Sequence, residues 1–149
     1  MEKVTIASKK CRLEGAAFAN CGMLKTVVSY LESPEAVYRN IFYNSYDGAT
    51  SEYILNDNVD LYVPFGTKTI YENTNGWKNF KNIVELNAIV GDVTGDGEVT
   101  KEDITEVETE ILEPSEEFNP NKDVNRDGVV NVADIVEGNN IRNSRGQVR

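Results

Sequence analysis

The sequence predicts an α+β protein, in which a small β-rich N-terminal segment precedes an all-α C-terminal segment built from two loop-helix units. Two observations predict the C-terminal part: an acidic twelve-residue pattern occurs twice, and apolar residues at helical spacing follow each copy. A third observation predicts the N-terminal part, because short β-branched runs recur there at intervals of about 22 residues. The two parts therefore belong to different structural classes.

Residues 92–103 and 123–134 share one pattern of side chains. Both have oxygen-bearing side chains at positions 1, 3, 5, 9 and 12 and glycine at position 6, which is the ligand spacing of a calcium loop. Position 7 contributes a backbone carbonyl, so the residue type there can vary. The predicted ligands of two calcium ions are Asp92, Thr94, Asp96, Glu98, Thr100 and Asp103 in the first loop, and Asp123, Asn125, Asp127, Val129, Asn131 and Asp134 in the second.

The residues around the loops argue against a calcium sensor with a helix on both sides of each loop. The segment before the first loop is too short for a helix, and Pro114 and Pro120 leave room for only one or two turns before the second. Each unit is therefore half of an EF-hand, a loop followed by one helix. Apolar residues predict the helices: Ile104, Val107 and Ile111 after the first loop, and Ile135 and Ile141 after the second.

Residues 91–142 resemble a type I dockerin, through the two D-V-[TN]-x-D-G-x-V-[TN]-x-x-D loops and the isoleucine after each final aspartate. The resemblance implies a module that binds a cohesin-type protein in the presence of calcium. Two residues depart from the family pattern. Gly138 stands where a larger residue is usual, at a cost to the helix of about 1 kcal/mol relative to alanine. Thr94 stands where asparagine is usual, so we expect the second site, with Asn125, to bind calcium more tightly.

The resemblance also implies where the partner binds, because loop positions 10 and 11 and the following helix face contact the cohesin in this family. The first repeat has charged residues at positions 10 and 11 and the second has apolar ones, so we expect one binding orientation to dominate. The alternative is that the apolar residues pack against the N-terminal module. The predicted partner-binding residues are Lys101, Glu102, Thr105, Val132, Ala133 and Val136.

The N-terminal segment reads as a repeat module. The β-branched runs 4–6 and 26–28 are separated by about 22 residues, and the segment 17–21 has an echo at 40–44. Such a period is typical of leucine-rich-repeat solenoids, in which each repeat contributes one strand.

The end of this segment, residues 49–86, resembles the C-terminal end of BspA-like leucine-rich-repeat proteins, through L-Y-V-P at 61–64 and W-x-x-F-x-x-I at 77–83. The resemblance implies a strand, a short helix and a closing strand. The alternative is an unrelated β-rich domain in which Trp77 and Phe80 are core anchors.

Composition excludes several classes of function. The sequence has no histidine, which removes Ser-His-Asp and Cys-His nucleophiles and histidine metal sites, and no phosphate-binding glycine loop is present. A net charge of −10 disfavours nucleic acid as a partner. We therefore predict that the protein is not an enzyme.

Cys11 and Cys21 lack zinc-site spacing, and we expect two buried thiols, although a disulfide is an alternative in an exported protein.

The predicted organisation is a leucine-rich-repeat C-terminal segment at 1–86, a short linker at 87–90, a dockerin at 91–142 and a flexible tail at 143–149. No signal peptide or membrane-spanning run is evident, so we expect the C-terminal part of a longer secreted or bacterial cell-surface protein. The predicted function is non-catalytic docking of a monomer to a cohesin-type module. This docking would serve a cellulosome-like assembly for polysaccharide breakdown or adhesion, with a protein or glycan as a further ligand of the repeats. The alternative is a calcium-stabilised adhesin whose dockerin-like pair is only a structural cap.

Overall fold

The computed structural model describes residues 2–14, 16–36, 41–50, 52–55 and 58–146. The protein is α+β and divides into two compact units, Met1–Glu85 and Leu86–Arg149. The first unit contains the strands β1 (Lys3–Ile6), β2 (Thr26–Ser29), β3 (Tyr43–Asp47), β4 (Glu52–Leu55), β5 (Asp60–Val63) and β6 (Asn82–Glu85), with helix α1 (Lys68–Asn73). The second contains α2 (Lys101–Leu112), a 3-10 turn (Pro120–Lys122) and α3 (Val132–Gly146).

Four strands of the first unit form a parallel sheet in the order β1-β2-β5-β6. Their register repeats without a shift, so that Val4, Val27, Leu61 and Ile83 form one row across the sheet. All four side chains in this row are buried, as expected for alternate residues that face one core. Each connection between successive strands of this sheet therefore returns the backbone in the same direction, which requires a crossover.

The predicted strand runs at 4–6, 26–28 and 61–63 lie in β1, β2 and β5, and α1 and β6 follow in the predicted order. A separate antiparallel hairpin, formed by β3 and β4, was not predicted. The echo of 17–21 at 40–44 starts at Asn40, which lies outside the described residues. Its described part pairs with the earlier segment, since the backbone N–H of Phe18 donates to the Ile41 carbonyl at 3.0 Å.

Aromatic rings fill the core of the first unit. Trp77 is 1% exposed and contacts Phe42 and Tyr71 at ring-centroid distances of 5.6 and 5.1 Å. The Tyr71 hydroxyl donates to the Leu31 carbonyl at 2.8 Å and lies 2.6 Å from the Ser29 hydroxyl, so both polar groups are satisfied inside the core. Burial raises the pKa of Tyr71 to about 12.

The prediction of two buried thiols is wrong for Cys11 and only partly met by Cys21. Cys11 is exposed, and Cys21 is half-buried against the core of the first unit; both are free thiols. Cys11 lies in an irregular stretch between β1 and β2, where no periodic pattern directs a side chain inward.

The second unit packs α2 and α3 around a small aliphatic core of Val93, Val107 and Val124, with half-buried isoleucines around it. Gly138 of α3 is buried, and a Cβ atom there would lie 2.6 Å from Cδ1 of Ile104 in α2. The glycine that departs from the dockerin pattern thus allows a close contact between the helices.

The ends of this unit differ from the predicted boundaries. The stretch 87–90 falls inside the second compact unit. Helix α3 continues to Gly146, into the stretch predicted as a flexible tail, and residues 147–149 lie outside the described residues. Two features support the extra turn: the Ser144 hydroxyl donates to the Asn140 carbonyl at 2.8 Å, and Arg145 places a positive charge at the negative end of the helix dipole. No helix in the described part of the protein is long and apolar enough to cross a membrane.

Candidate metal centre

The two predicted loops fold in the same way around the aspartate at position 1. In each loop this carboxylate accepts hydrogen bonds from the backbone N–H groups at positions 5 and 6, so the backbone wraps around it. The donor distances are 3.1 Å (Asp96) and 2.9 Å (Gly97) to Asp92, and 3.0 Å (Asp127) and 2.8 Å (Gly128) to Asp123.

The turn inside each loop uses left-handed backbone at positions 4 and 6. At position 6, Gly97 and Gly128 both have φ of 95°, a conformation that disfavours any residue with a Cβ atom. At position 4, the first loop has Gly95 with φ of 79°, whereas the second has Arg126 with φ of 64°. The glycine at position 6 is therefore a conformational requirement in both loops, and the second loop carries local strain at position 4.

The aspartate at position 12 fastens each loop to the helix that follows it. Asp103 accepts from the backbone N–H of Thr94 at 2.9 Å and of Thr100 at 2.7 Å. In the second loop Asp134 makes the equivalent bonds, to Asn125 at 3.0 Å and Asn131 at 2.8 Å.

Position 12 lies in the first helical turn, so its negative carboxylate also interacts favourably with the positive end of the helix dipole. In the first repeat Thr100 caps the N-terminus of α2, because its hydroxyl accepts a hydrogen bond from the Glu102 N–H at 3.2 Å.

The aspartates at positions 1 and 12 are buried, at 5% and 0% exposed in the first loop and 2% and 0% in the second. Lys122 forms ion pairs with Glu106 and Glu110, and neither pair involves any of these four aspartates. Buried carboxylates without a cationic partner are unfavourable unless hydrogen bonds or a bound cation compensate them.

The pKa values of two of these aspartates, Asp123 and Asp103, are shifted in opposite directions. Burial raises the pKa of Asp123 to about 6, and repulsion from Asp134 and Asp127 adds to this increase, against the effect of the Gly128 N–H bond. Burial also acts to raise the pKa of Asp103, but bonds from Thr100, Thr94 and Val93 outweigh it and leave this pKa lowered. The aspartates of the second loop therefore repel one another, which is the arrangement that a cation would relieve.

The donor set fits a hard cation. It consists of carboxylate, amide, hydroxyl and carbonyl oxygens without sulfur or imidazole, which is the chemistry that calcium prefers. Glu98 and Val129 at position 7 have exposed side chains, in agreement with a contribution through the backbone carbonyl alone.

The side chains at positions 3 and 5 are engaged in other bonds. The Thr94 hydroxyl donates to Asp103 at 3.0 Å, and the Asn125 amide donates to Asp127 at 2.9 Å. Among the described residues, no three acidic, cysteine or histidine side chains form a group with the spacing of a metal centre. Calcium binding would therefore have to exchange these local hydrogen bonds for bonds to the ion.

The residues predicted to bind a partner lie on the surface. Lys101, Glu102 and Thr105 are exposed in the first repeat, and Ala133 is exposed in the second. Val132 and Val136 are 63% and 55% exposed, and Val129 in the preceding loop is 57% exposed. By contrast, Ile104 is buried and Ile135 packs against the aliphatic core, as their helical phase predicts.

Two polar anchors in this unit are not predicted by the sequence. Asn87 donates its backbone N–H to the Asn121 side chain at 2.9 Å and its amide to the Asp92 carbonyl at 2.7 Å. Glu110 accepts from Lys122 at 3.0 Å and from the Ser115 hydroxyl at 2.7 Å. No sequence pattern indicates the role of Asn87, which lies in the stretch interpreted as a linker. Pro114 and Ser115 predict a turn directly after α2, and this turn could have indicated that Ser115 contacts the end of the helix.

Comparison with known protein families identifies the segment that contains both loops. Residues 90–138 match the dockerin type I domain. The dockerin match starts two residues before Asp92, ends at Gly138 in α3, and covers about a third of the sequence. It confirms the dockerin interpretation for this segment, while the leucine-rich-repeat interpretation of 1–86 stays a prediction. Searches of the curated proteins and of the solved structures found no match.

Proposed function

We propose that the C-terminal unit is a calcium-dependent docking module that binds a cohesin-type protein module, and that the protein is not an enzyme. The observation that carries this proposal is the duplicated hydrogen-bond framework around buried aspartates at positions 1 and 12, inside a segment that matches the dockerin type I domain. Two such loops on one small unit provide a rigid surface once their charge is neutralised.

Each loop would hold one calcium ion through the side chains at positions 1, 3, 5, 9 and 12 and the carbonyl at position 7. Calcium supplies positive charge to a unit whose buried carboxylates otherwise rely on hydrogen bonds from backbone N–H groups and, at Asp103, from hydroxyl groups. Position 12 is aspartate in both loops, so a shorter side chain than the usual glutamate must reach the ion. Hydrogen bonds from the backbone N–H groups at positions 3 and 9 already hold this carboxylate at the start of the helix.

The partner surface is proposed to lie on the second repeat. Val132 and Val136 are one helical turn apart on α3 and are both more than half exposed, with the exposed Ala133 beside them. An apolar stripe of this kind is a better interaction hot spot than the charged pair Lys101-Glu102 at the equivalent positions of the first repeat. The two repeats would therefore bind unequally, which favours a single orientation of the partner.

The first unit is proposed to be the end of a leucine-rich-repeat module that recognises a protein or a glycan. Its support is the parallel sheet, in which four strands keep one register and bury one row of side chains. On this proposal the protein is a monomer in a secreted or bacterial cell-surface assembly, linked to polysaccharide breakdown or adhesion. Its acidity disfavours nucleic acid.

A second candidate function is a structural cap, in which the calcium loops stabilise the end of an adhesin and bind no cohesin. The duplicated loops are compatible with this alternative, but the exposed valine stripe favours docking. A calcium sensor is disfavoured, because the described residues before each loop form no entering helix that could open on binding.

The test is binding of the 149-residue protein to immobilised type I cohesins, measured in calcium and in a chelator. Docking predicts binding in calcium that is lost on chelation and in the double variant Asp103→Asn and Asp134→Asn, which removes both position-12 charges. The matched control is Glu108→Gln, which removes an exposed carboxylate of α2 outside the loops. Calcium-dependent folding without binding to any cohesin would support the structural cap instead.

A further inference from the structure

One turn of the first unit has the features of a chemical modification site. Asn75 and Gly76 lie between α1 and β6, and they form the only Asn-Gly pair in the sequence. Asn75 is exposed, and Gly76 has φ of 89°. Glycine leaves the backbone amide that follows the asparagine unshielded by a Cβ atom.

Two hydrogen bonds join the residues on either side of this pair. The backbone N–H groups of Trp77 and Lys78 both donate to the Thr74 carbonyl, at 3.1 and 3.0 Å. Within the described part of the protein, neither the Gly76 N–H nor the Asn75 side chain has a hydrogen-bond partner. The nucleophile and the electrophile of an asparagine cyclisation are therefore adjacent, solvent-accessible and free of competing bonds.

We propose that Asn75 is a site of deamidation and isoaspartate formation. The Gly76 backbone nitrogen attacks Cγ of Asn75, a new bond forms between these two atoms, and the bond from Cγ to Nδ2 of Asn75 breaks. The displaced nitrogen leaves as ammonia, carrying the proton lost by the Gly76 nitrogen, and a five-membered succinimide remains. Water then opens the ring at either carbonyl, which gives aspartate or isoaspartate. Water is the only co-reactant, and no oxidation state changes.

The position of this turn gives the modification a structural effect. Isoaspartate inserts one extra carbon into the backbone directly before Gly76, and Trp77 follows it. Trp77 is fixed on several sides, by the rings of Phe42 and Tyr71 and by the bond from its Nε1 to the Glu35 carbonyl at 3.3 Å. A longer backbone with a new charge cannot keep both the left-handed turn and this side-chain position, so we infer that the modified turn displaces Trp77 from the core.

The experiment uses the 149-residue protein, incubated in calcium at physiological temperature and mildly alkaline pH. Peptide mapping by mass spectrometry follows conversion of each asparagine, and an isoaspartyl methyltransferase with labelled S-adenosylmethionine counts isoaspartate. We expect Asn75 to convert at least several-fold faster than Asn143, which precedes serine in α3. Trp77 is the sole tryptophan, so its fluorescence should shift to the red in proportion to methyltransferase-reactive protein.

Asn75→Gln is the matched variant, because glutamine keeps the amide but forms the larger ring slowly. It should abolish most methyl acceptance and the fluorescence change without altering the starting spectrum. Conversion of Asn75 no faster than that of Asn143 would overturn the site. Isoaspartate at Asn75 with unchanged Trp77 fluorescence would overturn the inferred displacement.

Discussion

The two loops of the second unit share one backbone framework and differ in the side chains placed on it. In both, positions 1 and 12 are buried aspartates, and position 6 is a glycine at the same φ. The position-1 carboxylate accepts from the backbone N–H groups at positions 5 and 6, and the position-12 carboxylate accepts from those at positions 3 and 9. The loops differ at positions 3, 4, 7, 9, 10 and 11. The comparison shows that a few positions determine the loop conformation, while the others are free to determine ion affinity, strain and surface chemistry.

The side chain at position 3 donates its hydrogen bond to a different carboxylate in each loop. The Thr94 hydroxyl is bound to the position-12 carboxylate, whereas the Asn125 amide is bound to Asp127 and leaves Asp134 with backbone donors only. Before any ion binds, the two position-12 carboxylates therefore accept hydrogen bonds from different sets of donors.

Removal of calcium should have the largest effect, because it tests what the loops have in common. Chelation leaves four buried aspartates in a unit with a small aliphatic core, so we expect a large loss of helical circular dichroism and a lower melting temperature. The parallel sheet of the first unit should keep its own transition. A helical signal and melting curve that are unchanged by chelation would contradict metal-dependent folding.

The next effect tests the difference at position 10. Val132→Asp should weaken binding to a cohesin by tenfold or more, about 1.4 kcal/mol, because it places a charge in the exposed apolar stripe. Lys101→Asp, the equivalent change in the first repeat, is the control and should cost much less. Calcium affinity, measured by calorimetry, should stay near normal in both. Equal losses in the two variants would refute the single-orientation hypothesis.

The helices after the loops differ at several equivalent positions, and one of these is buried in both: Val107 in α2 and Gly138 in α3. Gly138→Ala should destabilise the unit by about 1–2 kcal/mol, since overpacking against Cδ1 of Ile104 outweighs the gain in helix propensity. Ile104→Val removes that methyl group, so the double variant should recover most of the loss. Denaturant unfolding of the four proteins in calcium gives the coupling energy. Additive effects would show that the contact does not restrict position 138.

Position 4 separates the loops by backbone strain. Arg126→Gly should stabilise the second loop by about 1 kcal/mol, because glycine adopts the left-handed conformation freely. Gly95→Ala in the first loop should cost about the same, since its Cβ would meet the Asn87 amide only at an ordinary 3.7 Å and the cost is conformational. Thermal unfolding in saturating calcium measures both. Changes of the same sign would mean that the side chains, and not φ, decide the result.

The smallest expected effect concerns ion affinity at position 3. Thr94→Asn should raise the calcium affinity of the first site several-fold towards that of the second, because it replaces a hydroxyl with an amide carbonyl oxygen. Asn125→Thr should lower the affinity of the second site by a similar factor. Titration at limiting calcium with site-resolved NMR reports both. Wild-type sites that fill in parallel would count against the ranking.

The sequence predicts features that depend on spacing between nearby residues. Loop positions, the starts of α2 and α3, and the inward isoleucines all follow from local periodicity and capping chemistry. The sequence does not predict contacts between distant polar residues, such as Asn87 with Asn121, because neither residue is distinctive alone. The β3–β4 hairpin was missed although Asp47-Gly48 is a turn signal, since its strands lack apolar alternation. Cys11 was expected to be buried because it falls within the predicted repeats, but it lies in an irregular stretch where no periodic pattern directs its side chain inward.

The Asn87 anchor has a consequence for mechanical load. Tension applied from the N-terminal side enters the second unit at Leu86 and reaches Asn87 next. From there one hydrogen bond leads to the Asp92 carbonyl at the start of the first loop, and another leads to Asn121, just ahead of the second. A pulling force is thereby divided between the two repeats before either calcium loop is stretched. This asparagine would therefore be the first residue of the second unit to pass a load on to contacts near both loops.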